Sequence, residues 1–151
     1  MGSVERWDKY FHAICCAVAL KSPCQSRQIG AILVRDKSIV ATGYNGPPRG
    51  IPHCGSICPR KAAGYKSGEG LHLCPAAHAE TNCIVNAARL GVSTLNTTLY
   101  MNCITPCREC MKLLINAGVA EIVVDELTQY DEMSIKLLSV LSQPVVRRFI
   151  L

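Results

Sequence analysis

His78-Ala79-Glu80 and, further along the chain, Pro106-Cys107-Arg108-Glu109-Cys110 are the two stretches around which this sequence is organised. Together they offer one imidazole and two thiols in a Cys-x-x-Cys spacing. Zinc prefers nitrogen and thiolate ligands in a tetrahedral arrangement, so His78, Cys107 and Cys110 supply three ligands and leave a fourth position for water. An open fourth position is typical of a catalytic metal site rather than a structural one.

Glu80 follows the imidazole by two residues, and we expect this carboxylate to take a proton from water and pass it on. The combined pattern His-x-Glu and Pro-Cys-x-x-Cys is the signature of zinc deaminases that act on nucleobases, in which the glutamate is an acid/base and not a ligand. A Cys-x-x-Cys alone also occurs in redox pairs and in structural zinc sites. The full pattern, with Pro106 in place, favours the catalytic interpretation.

Composition predicts one globular domain over residues 1–151, since the chain is 49% hydrophobic and 18% charged. The apolar run Ala13 to Leu20 is much shorter than the roughly 20 residues of a membrane span. Glu5 and Asp8 stand where a signal peptide would have a basic leader. We therefore expect a soluble, cytoplasmic protein with no membrane partner.

Ten cysteines in such a chain indicate reduced thiols and metal binding before disulfides. The net charge of +5 comes from scattered residues rather than from a basic run. This distribution favours a small phosphorylated ligand over a long nucleic acid.

Hydrophobic periodicity and turn residues predict an α/β fold, a three-layer α/β/α sandwich around a five-stranded mixed sheet. The first two strands form an antiparallel hairpin, and the strand-helix-strand units of the second half are parallel. The predicted helices cover residues 5–21, 78–90, 107–117 and 131–141, and the predicted strands cover 29–34, 39–44, 98–102, 121–125 and 145–150.

Residues 46–76 have neither a helical nor a strand period, and a loop of this length inside a domain needs a function or a stabilising link. Its density of cysteine and histidine predicts a second, closed zinc site that is structural. The candidate ligands are Cys54, Cys58, His72 and Cys74, with His53 as a spare and Cys24 as a contribution from just before the first strand.

The residues that would hold a substrate phosphate cannot be identified from spacing. Small hydroxyl and guanidinium groups near the predicted site are the chemically suitable ones. The candidates are Ser26, Arg27, Arg49 and Arg108.

From about Trp7 to Val124 the chain resembles the deoxycytidylate (dCMP) deaminases of the cytidine deaminase superfamily. The resemblance lies in the two zinc motifs and in three further stretches, at residues 28–31 (QIGA), 43–50 (GYNGPPRG) and 67–75. The zinc motifs are shared across the superfamily, whereas the GYNG element separates this family from its relatives.

The resemblance implies hydrolytic deamination of dCMP to dUMP, with attack at C4 of the cytosine ring and release of ammonia. It also implies a hexamer that is activated by dCTP and inhibited by dTTP, with Mg²⁺ accompanying the triphosphates. By position, Tyr44, Asn45 and Gly46 would contact substrate or effector nucleotide, and Arg89 would lie near the regulatory site. Ser26 and Arg27 join this group as candidate nucleotide contacts.

Some family members have a second zinc in the long loop, and Cys24 and Cys54 match positions used there. For the other two ligands the loop varies in length, so His72 and Cys74 are the first choice and Cys58 is the alternative.

Three other functions compete. A tRNA adenosine deaminase uses the same zinc motifs, but it has a shorter connection between Asn45 and His78 and predicts steep salt dependence of binding. A riboflavin-pathway pyrimidine deaminase is disfavoured by the GYNG element. A zinc-stapled binding module would need Glu80 as a fourth protein ligand of the metal.

Overall fold

A five-stranded mixed sheet lies at the centre of the computed structural model, which describes residues 2–151. The spatial order is β2-β1-β3-β4-β5. Strand β1 pairs antiparallel with β2 and with β3, whereas β3 with β4 and β4 with β5 are parallel. The predicted mixed sheet, its hairpin and its parallel second half are confirmed. The strands are β1 (Gly30–Arg35), β2 (Ser38–Tyr44), β3 (Thr98–Met101), β4 (Glu121–Val124) and β5 (Val145–Arg148).

Helices cover both faces of this sheet. Helix α1 packs on one face, and α3, α4 and α5 pack on the other. None of the helices in residues 2–151 has the length and apolar composition needed to cross a lipid bilayer. The helices are α1 (Ser3–Ala19), α2 (Pro59–Ala62), α3 (Ala79–Leu90), α4 (Arg108–Asn116) and α5 (Glu132–Ser139), with a 3₁₀ turn at Leu71–Leu73.

The apolar strands are explained by burial on both faces of the sheet. In β1, Ile32 packs towards α1 beside Phe11, whereas Leu33 packs towards α3 and α4 beside Met111. Successive side chains of a strand point to opposite faces, so a strand covered on both sides needs an almost continuous apolar run. The sandwich therefore has two apolar layers, and the three-layer architecture is confirmed.

Helix α3 approaches the sheet closely because Gly43 of β2 has no side chain. A Cβ at position 43 would lie 2.5 Å from the Ala79 carbonyl oxygen and 2.5 Å from the Cys83 amide nitrogen. Contacts of this length with backbone atoms are not tolerated without a shift of the helix. Gly43 thus sets the position of α3.

The long loop between β2 and α3 is closed at its base by a pair of backbone hydrogen bonds. The Gly46 amide donates to the Ala77 carbonyl (3.1 Å), and the Ala77 amide donates to the Gly46 carbonyl (2.8 Å). Residues 47–76 therefore leave and re-enter the fold at one point, directly before His78. The predicted loop is confirmed, with α2 and the 3₁₀ turn as short helical pieces within it.

Candidate active site

His78, Cys107 and Cys110 come together because two neighbouring helices begin at the same place. His78 is the N-cap of α3, Cys107 is the N-cap of α4, and Cys110 lies in the first turn of α4. The N-terminus of a helix carries a partial positive charge, which favours thiolate over thiol. We call these three residues the active cluster.

The distances within the active cluster fit a tetrahedral zinc ion. The Nδ1 atom of His78 lies 3.5 Å from the Cys107 sulfur and 3.4 Å from the Cys110 sulfur. Zinc–sulfur and zinc–nitrogen bonds of about 2.3 and 2.0 Å at a tetrahedral angle separate the two atoms by roughly 3.5 Å. In residues 2–151 this is the one group of three metal-ligating side chains whose ligand atoms lie within 4.8 Å of one another.

The two cysteines of the active cluster differ in their affinity for a proton. The pKa of Cys107 is lowered to about 4, chiefly by a hydrogen bond with Cys110 and further by His78. The pKa of Cys110 is raised, first by the same hydrogen bond and then by burial. The hydrogen bond with Cys107 also raises the pKa of His78. At neutral pH the cluster therefore already contains one thiolate, which is the form that binds metal.

Glu80 lies beside the active cluster in the first turn of α3, and its side chain is buried, with 5% of the residue exposed. Burial raises its pKa, and the neighbouring His78 offsets part of that rise. A carboxyl whose pKa is moved from its usual acidic value towards neutrality exchanges a proton more readily with water. This environment suits the acid/base role that the sequence predicts for Glu80.

Thr81 is a neighbour of the active cluster that sequence reasoning did not identify. Its hydroxyl oxygen lies 3.5 Å from the Cys110 sulfur, and this contact lowers the pKa of Cys110 against the larger effects that raise it. A hydroxyl next to a ligating sulfur orients and stabilises the ligand. The sequence signal that could have identified Thr81 was its position one residue after Glu80.

A cavity of about 150 Å³ opens beside the active cluster and is lined by His78, Glu80 and Cys107 together with residues from distant parts of the chain. Among the other lining residues, the sequence had singled out Ser26, Arg27 and Asn45 as nucleotide contacts and Cys24 and Cys74 as zinc ligands. It had not singled out Arg60, Thr105 or Tyr130. Arg60 lies on the four-residue helix α2 within the long loop, and Thr105 and Tyr130 lie on irregular segments, so no period indicates which way these side chains point.

Asn45 shapes one wall of the cavity through its amide group. Its Nδ2 donates to the Arg27 carbonyl (2.7 Å), and its Oδ1 accepts from the Ile29 amide (2.8 Å). Asn45 is buried. It therefore fixes the backbone of residues 27–29, which enters β1 next to the cavity.

Tyr44, Gly46 and Arg89 do not line that cavity; they line a separate groove of about 320 Å³ on the β2 and α3 side. Arg49 lies in the same groove, where its Nη2 donates to Asn86 Oδ1 (3.0 Å). Asn45 and its two neighbours face different sides because successive residues of an extended chain alternate. The predicted nucleotide contacts thus divide between two sites.

Arg108, the remaining arginine among the predicted phosphate contacts, lies outside the cavity. It is at the start of α4, with its Nε 3.6 Å from Glu109 Oε1 and its side chain exposed. A pair exposed to this degree is screened by water and contributes little. Of the four predicted phosphate contacts, only Ser26 and Arg27 line the cavity.

Four cysteines near the long loop line a second, much smaller cavity. Burial raises the pKa of Cys54, and the neighbouring Cys74, Cys58 and Cys24 raise it further, in that order. The four sulfurs are therefore close to one another, although they do not approach within the 4.8 Å span of the active cluster. We call Cys24, Cys54, Cys58 and Cys74 the loop cysteines.

Two histidines that the sequence offered for the loop site lie away from these cysteines. His72 is exposed and its ring packs edge-on against Tyr65, with ring centroids 5.8 Å apart. His53 is also exposed. Neither lines the small cavity that the loop cysteines share. Cys58, the alternative ligand from the sequence, does line this cavity.

Residues 5–126 match the family described as the cytidine and deoxycytidylate deaminase zinc-binding region. A deoxycytidylate deaminase of Saccharomyces cerevisiae is 37% identical over 133 residues, which are 87% of this chain and 41% of the yeast protein. A deoxycytidylate deaminase of Mycobacterium phage D29 is 36% identical, over 78% of this chain and 92% of the phage protein. The chain thus spans about two fifths of the yeast relative and nearly all of the phage relative.

The fold is also similar to that of dCMP deaminase from the cyanophage S-TIM5. The apo structure superimposes with a TM-score of 0.74 at 25% identity, covering 98% of this chain and 99% of the cyanophage chain. The complex of the same enzyme with dCMP and dUMP has a TM-score of 0.68 and covers 95% and 94%. With the family match over residues 5–126 and the active cluster within it, this chain belongs to the cytidine and deoxycytidylate deaminase family.

Proposed function

We propose that this protein hydrolyses dCMP to dUMP and ammonia, supplying the precursor of thymidylate. The observation that carries the proposal is the active cluster with the buried carboxylate of Glu80 next to it at the cavity. The deoxycytidylate deaminases at 36–37% identity and the cyanophage enzyme crystallised with dCMP and dUMP support this choice of substrate.

His78, Cys107 and Cys110 would hold the catalytic zinc. When bound, zinc supplies the Lewis acidity that lets water act as a nucleophile near neutral pH. Glu80 accepts one proton of the attacking water and passes it to N3 of the cytosine; it then accepts the second proton from the same oxygen and passes it to the amine, which leaves C4 as ammonia. Its raised pKa suits both directions of transfer, because the carboxyl must take up a proton and release it within one turnover.

The test is ammonia release from dCMP, dCTP, cytidine, deoxycytidine, and an RNA stem-loop, with wild-type protein and Glu80→Gln. We expect dCMP to be preferred and Glu80→Gln to lose about 10²- to 10⁴-fold in kcat while it keeps its metal. Preference for the RNA would support the tRNA adenosine deaminase. Loss of zinc from Glu80→Gln would instead support the zinc-stapled binding module.

We infer that a second, structural zinc is held by the loop cysteines. Backbone amides stabilise two of the four sulfurs in the same way: the Ser26 and Arg27 amides each lie 3.4 Å from the Cys24 sulfur, and the Lys61 and Arg60 amides lower the pKa of Cys58. Amide donors two and three residues after a cysteine favour the thiolate that zinc requires. Cys58 therefore replaces His72 in the proposed ligand set, beside Cys24, Cys54 and Cys74.

Metal analysis distinguishes these ligand sets. Two zinc ions per chain are expected in wild-type protein and in His72→Ala, and one in Cys58→Ser. A single zinc ion per chain in the wild-type protein would show that the second site does not bind zinc. Loss of one zinc from His72→Ala would restore the ligand set first predicted from the sequence.

We propose that dCTP and dTTP, accompanied by Mg²⁺, regulate the enzyme from the groove that contains Tyr44, Gly46 and Arg89, and that the enzyme is a hexamer. The groove is distinct from the cavity at Glu80, and Arg49 and Arg89 give it positive charge. An effector shifts activity only if it binds one state of the oligomer more tightly. Sedimentation gives the oligomer, and Arg89→Gln should reduce the shift of the dCMP saturation curve by either triphosphate.

The last two proposals concern the extent of the domain and the location of the protein in the cell. We propose that residues 1–151 form one deaminase domain, because helices from both ends of the chain pack on the same sheet. We also propose a cytoplasmic location, since all ten cysteines are unpaired as thiols. Limited proteolysis tests the first proposal, and fractionation of cells that make the protein tests the second.

A further inference from the structure

Two buried polar side-chain atoms in residues 2–151 lack a hydrogen-bond partner: Nε of Arg60 and Oγ1 of Thr105. Both residues line the cavity at the active cluster. A buried polar atom without a hydrogen-bond partner destabilises the fold, so folded proteins rarely leave one without a role. Both residues stand in the wall of one cavity, so a ligand seated there would supply these partners once the two side chains rotate towards it.

One edge of the Arg60 guanidinium is anchored, and the other edge has no hydrogen-bond partner within residues 2–151. Its Nη1 donates to the Glu69 carbonyl (2.9 Å), which fixes the side chain against the loop. The opposite edge, formed by Nε and Nη2, makes no hydrogen bond within residues 2–151. A guanidinium edge with two parallel N–H groups matches two oxygens of a phosphate. The ligand group that fits this edge is therefore an oxyanion.

A tight turn next to Arg60 adds a hydroxyl to the same wall. The Glu69 amide donates to the Lys66 carbonyl (3.1 Å), which places Ser67 and Gly68 at the centre of the turn. Both central residues line the cavity, and Gly68 has a positive φ of 80°. The turn thus brings Ser67 to the cavity beside Arg60.

Tyr130 connects this wall to the active cluster. A Cβ at Gly68 would lie 3.9 Å from the Tyr130 hydroxyl. Burial raises the pKa of Tyr130, the nearby Cys107 raises it further, and Arg60 lowers it. Tyr130, Arg60 and Cys107 all line the same cavity, so a ligand seated there can contact the active cluster and the Arg60 wall together.

Arg27 is the other arginine of the cavity, but its side chain is exposed. Water screens an exposed charge, whereas a half-buried guanidinium keeps more of its attraction for an anion. Arg60 is half-buried. Of the two arginines, Arg60 is therefore the stronger phosphate ligand.

We propose that Arg60, assisted by the Ser67 hydroxyl, binds the 5′-phosphate of the substrate nucleotide and makes the enzyme select a monophosphate over a nucleoside. This inference rests on the proposed deamination of dCMP. It gives the long loop a part in substrate selection in addition to its proposed metal.

The experiment compares dCMP with deoxycytidine as substrates of wild type, Arg60→Gln and Lys61→Gln. Lys61 is the matched control, because it is the next residue of α2, is exposed and does not line the cavity. Arg60→Gln should lower kcat/KM for dCMP by about 10- to 100-fold and leave deoxycytidine within about threefold of wild type. Lys61→Gln should change neither value, and zinc content should be equal in all three proteins.

Equal losses for both substrates in Arg60→Gln, or no loss for either, would overturn the phosphate role. If wild type prefers dCMP and Arg60→Gln keeps that preference, this inference fails and the proposed function stands. If wild type does not deaminate dCMP at all, the proposed function fails.

Arg60→Lys is a second variant in case the Gln variant does not fold. Lysine keeps the positive charge but lacks the two parallel N–H donors of the guanidinium edge. Inorganic phosphate should compete with dCMP in wild type and need an about tenfold higher concentration in Arg60→Lys. Equal competition in the two proteins would contradict the role given to the guanidinium edge.

Discussion

The active cluster and the loop cysteines both bring zinc-binding types of side chain together, but on different supports. His78, Cys107 and Cys110 stand at the starts of α3 and α4, which pack on the sheet, and their ligand atoms already have tetrahedral spacing. The loop cysteines lie on irregular segments, and their sulfurs are less closely gathered. Helices that are packed on a core hold ligands in place before the metal arrives, whereas a loop needs the metal to draw its ligands together.

The largest expected effect on kcat follows from removing one ligand of the active cluster. Cys107→Ala removes the thiolate with the lowered pKa and should reduce kcat for dCMP by more than about 10⁴-fold, because water is then no longer activated by a fully held metal. The fold should remain, since the sheet and its helices do not depend on this ligand. Circular dichroism and metal analysis check both statements.

Cys16→Ala is the control, because Cys16 is an exposed thiol of α1. A Cys107→Ala protein that is unfolded would contradict the claim that the core positions the cluster without metal. One that retains activity would remove Cys107 from the site.

A glycine-to-alanine substitution can be made both beside α3 and in the long loop, and its two effects can be compared. Gly43→Ala places a Cβ against the backbone of α3 and should cost about 1 to 3 kcal/mol of the free energy of unfolding. Because α3 carries His78 and Glu80, it should also lower kcat. Thermal melts and turnover are the measurements.

Gly55→Ala is the matched change in the loop. Gly55 has a positive φ of 71°, and no atom of residues 2–151 outside its immediate neighbours lies within 4 Å of its added Cβ. The expected cost is about 1 kcal/mol from the left-handed backbone alone, with kcat unchanged. If Gly55→Ala impaired turnover more than Gly43→Ala, the loop rather than α3 would control the geometry at Glu80.

Acid should release zinc from the two groups at different pH values. Protons compete with metal for each thiolate. The ligand atoms of the active cluster already have tetrahedral spacing on two packed helices, whereas the metal must draw the loop cysteines together. As pH falls, we therefore expect a zinc ion held by the loop cysteines to leave first.

A chromogenic chelator read during an acid titration measures the two steps, and Cys58→Ser identifies the loop step by removing it. The proposed difference between the two groups would be wrong if both zinc ions were released at the same pH, or if the active-site ion were released first.

The smallest expected effect tests how the active cluster is supported. The Asp131 carboxylate accepts from the Ser134 amide (2.9 Å) as N-cap of α5 and from the Arg108 amide (2.9 Å) at the start of α4. Asp131→Ala should cost about 1 kcal/mol in the free energy of unfolding at pH 7. Urea melts measure this cost, and Glu132→Ala, in the first turn of α5, is the control.

Protonation of Asp131 should remove the same contribution. Burial raises its pKa, but hydrogen bonds from the Arg108 and Ser134 amides outweigh burial and hold the pKa below its ordinary 3.8. A carboxyl with a lowered pKa stabilises the fold above the ordinary value, and the contribution is lost as pH falls through the folded-state pKa. The difference between wild type and Asp131→Ala should therefore shrink below about pH 4. A constant difference would mean that the carboxylate charge is not the cause.

The sequence by itself determined the sheet, the helices that cover it and the active cluster. Apolar periodicity reports burial directly, and a Cys-x-x-Cys spacing at the start of a helix fixes two ligands relative to each other through local geometry. His78 could be added because its own helix start and its chemistry left few alternatives. These features depend on neighbours in the chain or on repeating patterns.

Only the tertiary structure decided what the irregular segments do. It gathered Cys58 rather than His72 with the other loop cysteines, brought Arg60 and Tyr130 to the cavity, and turned Tyr44 and Asn45 towards different sites. A loop has no period that tells which side chain points inward, because its conformation is set by distant contacts such as the Gly46 and Ala77 pair. Those contacts join residues far apart in sequence, and they exist only once the sheet and helices have formed.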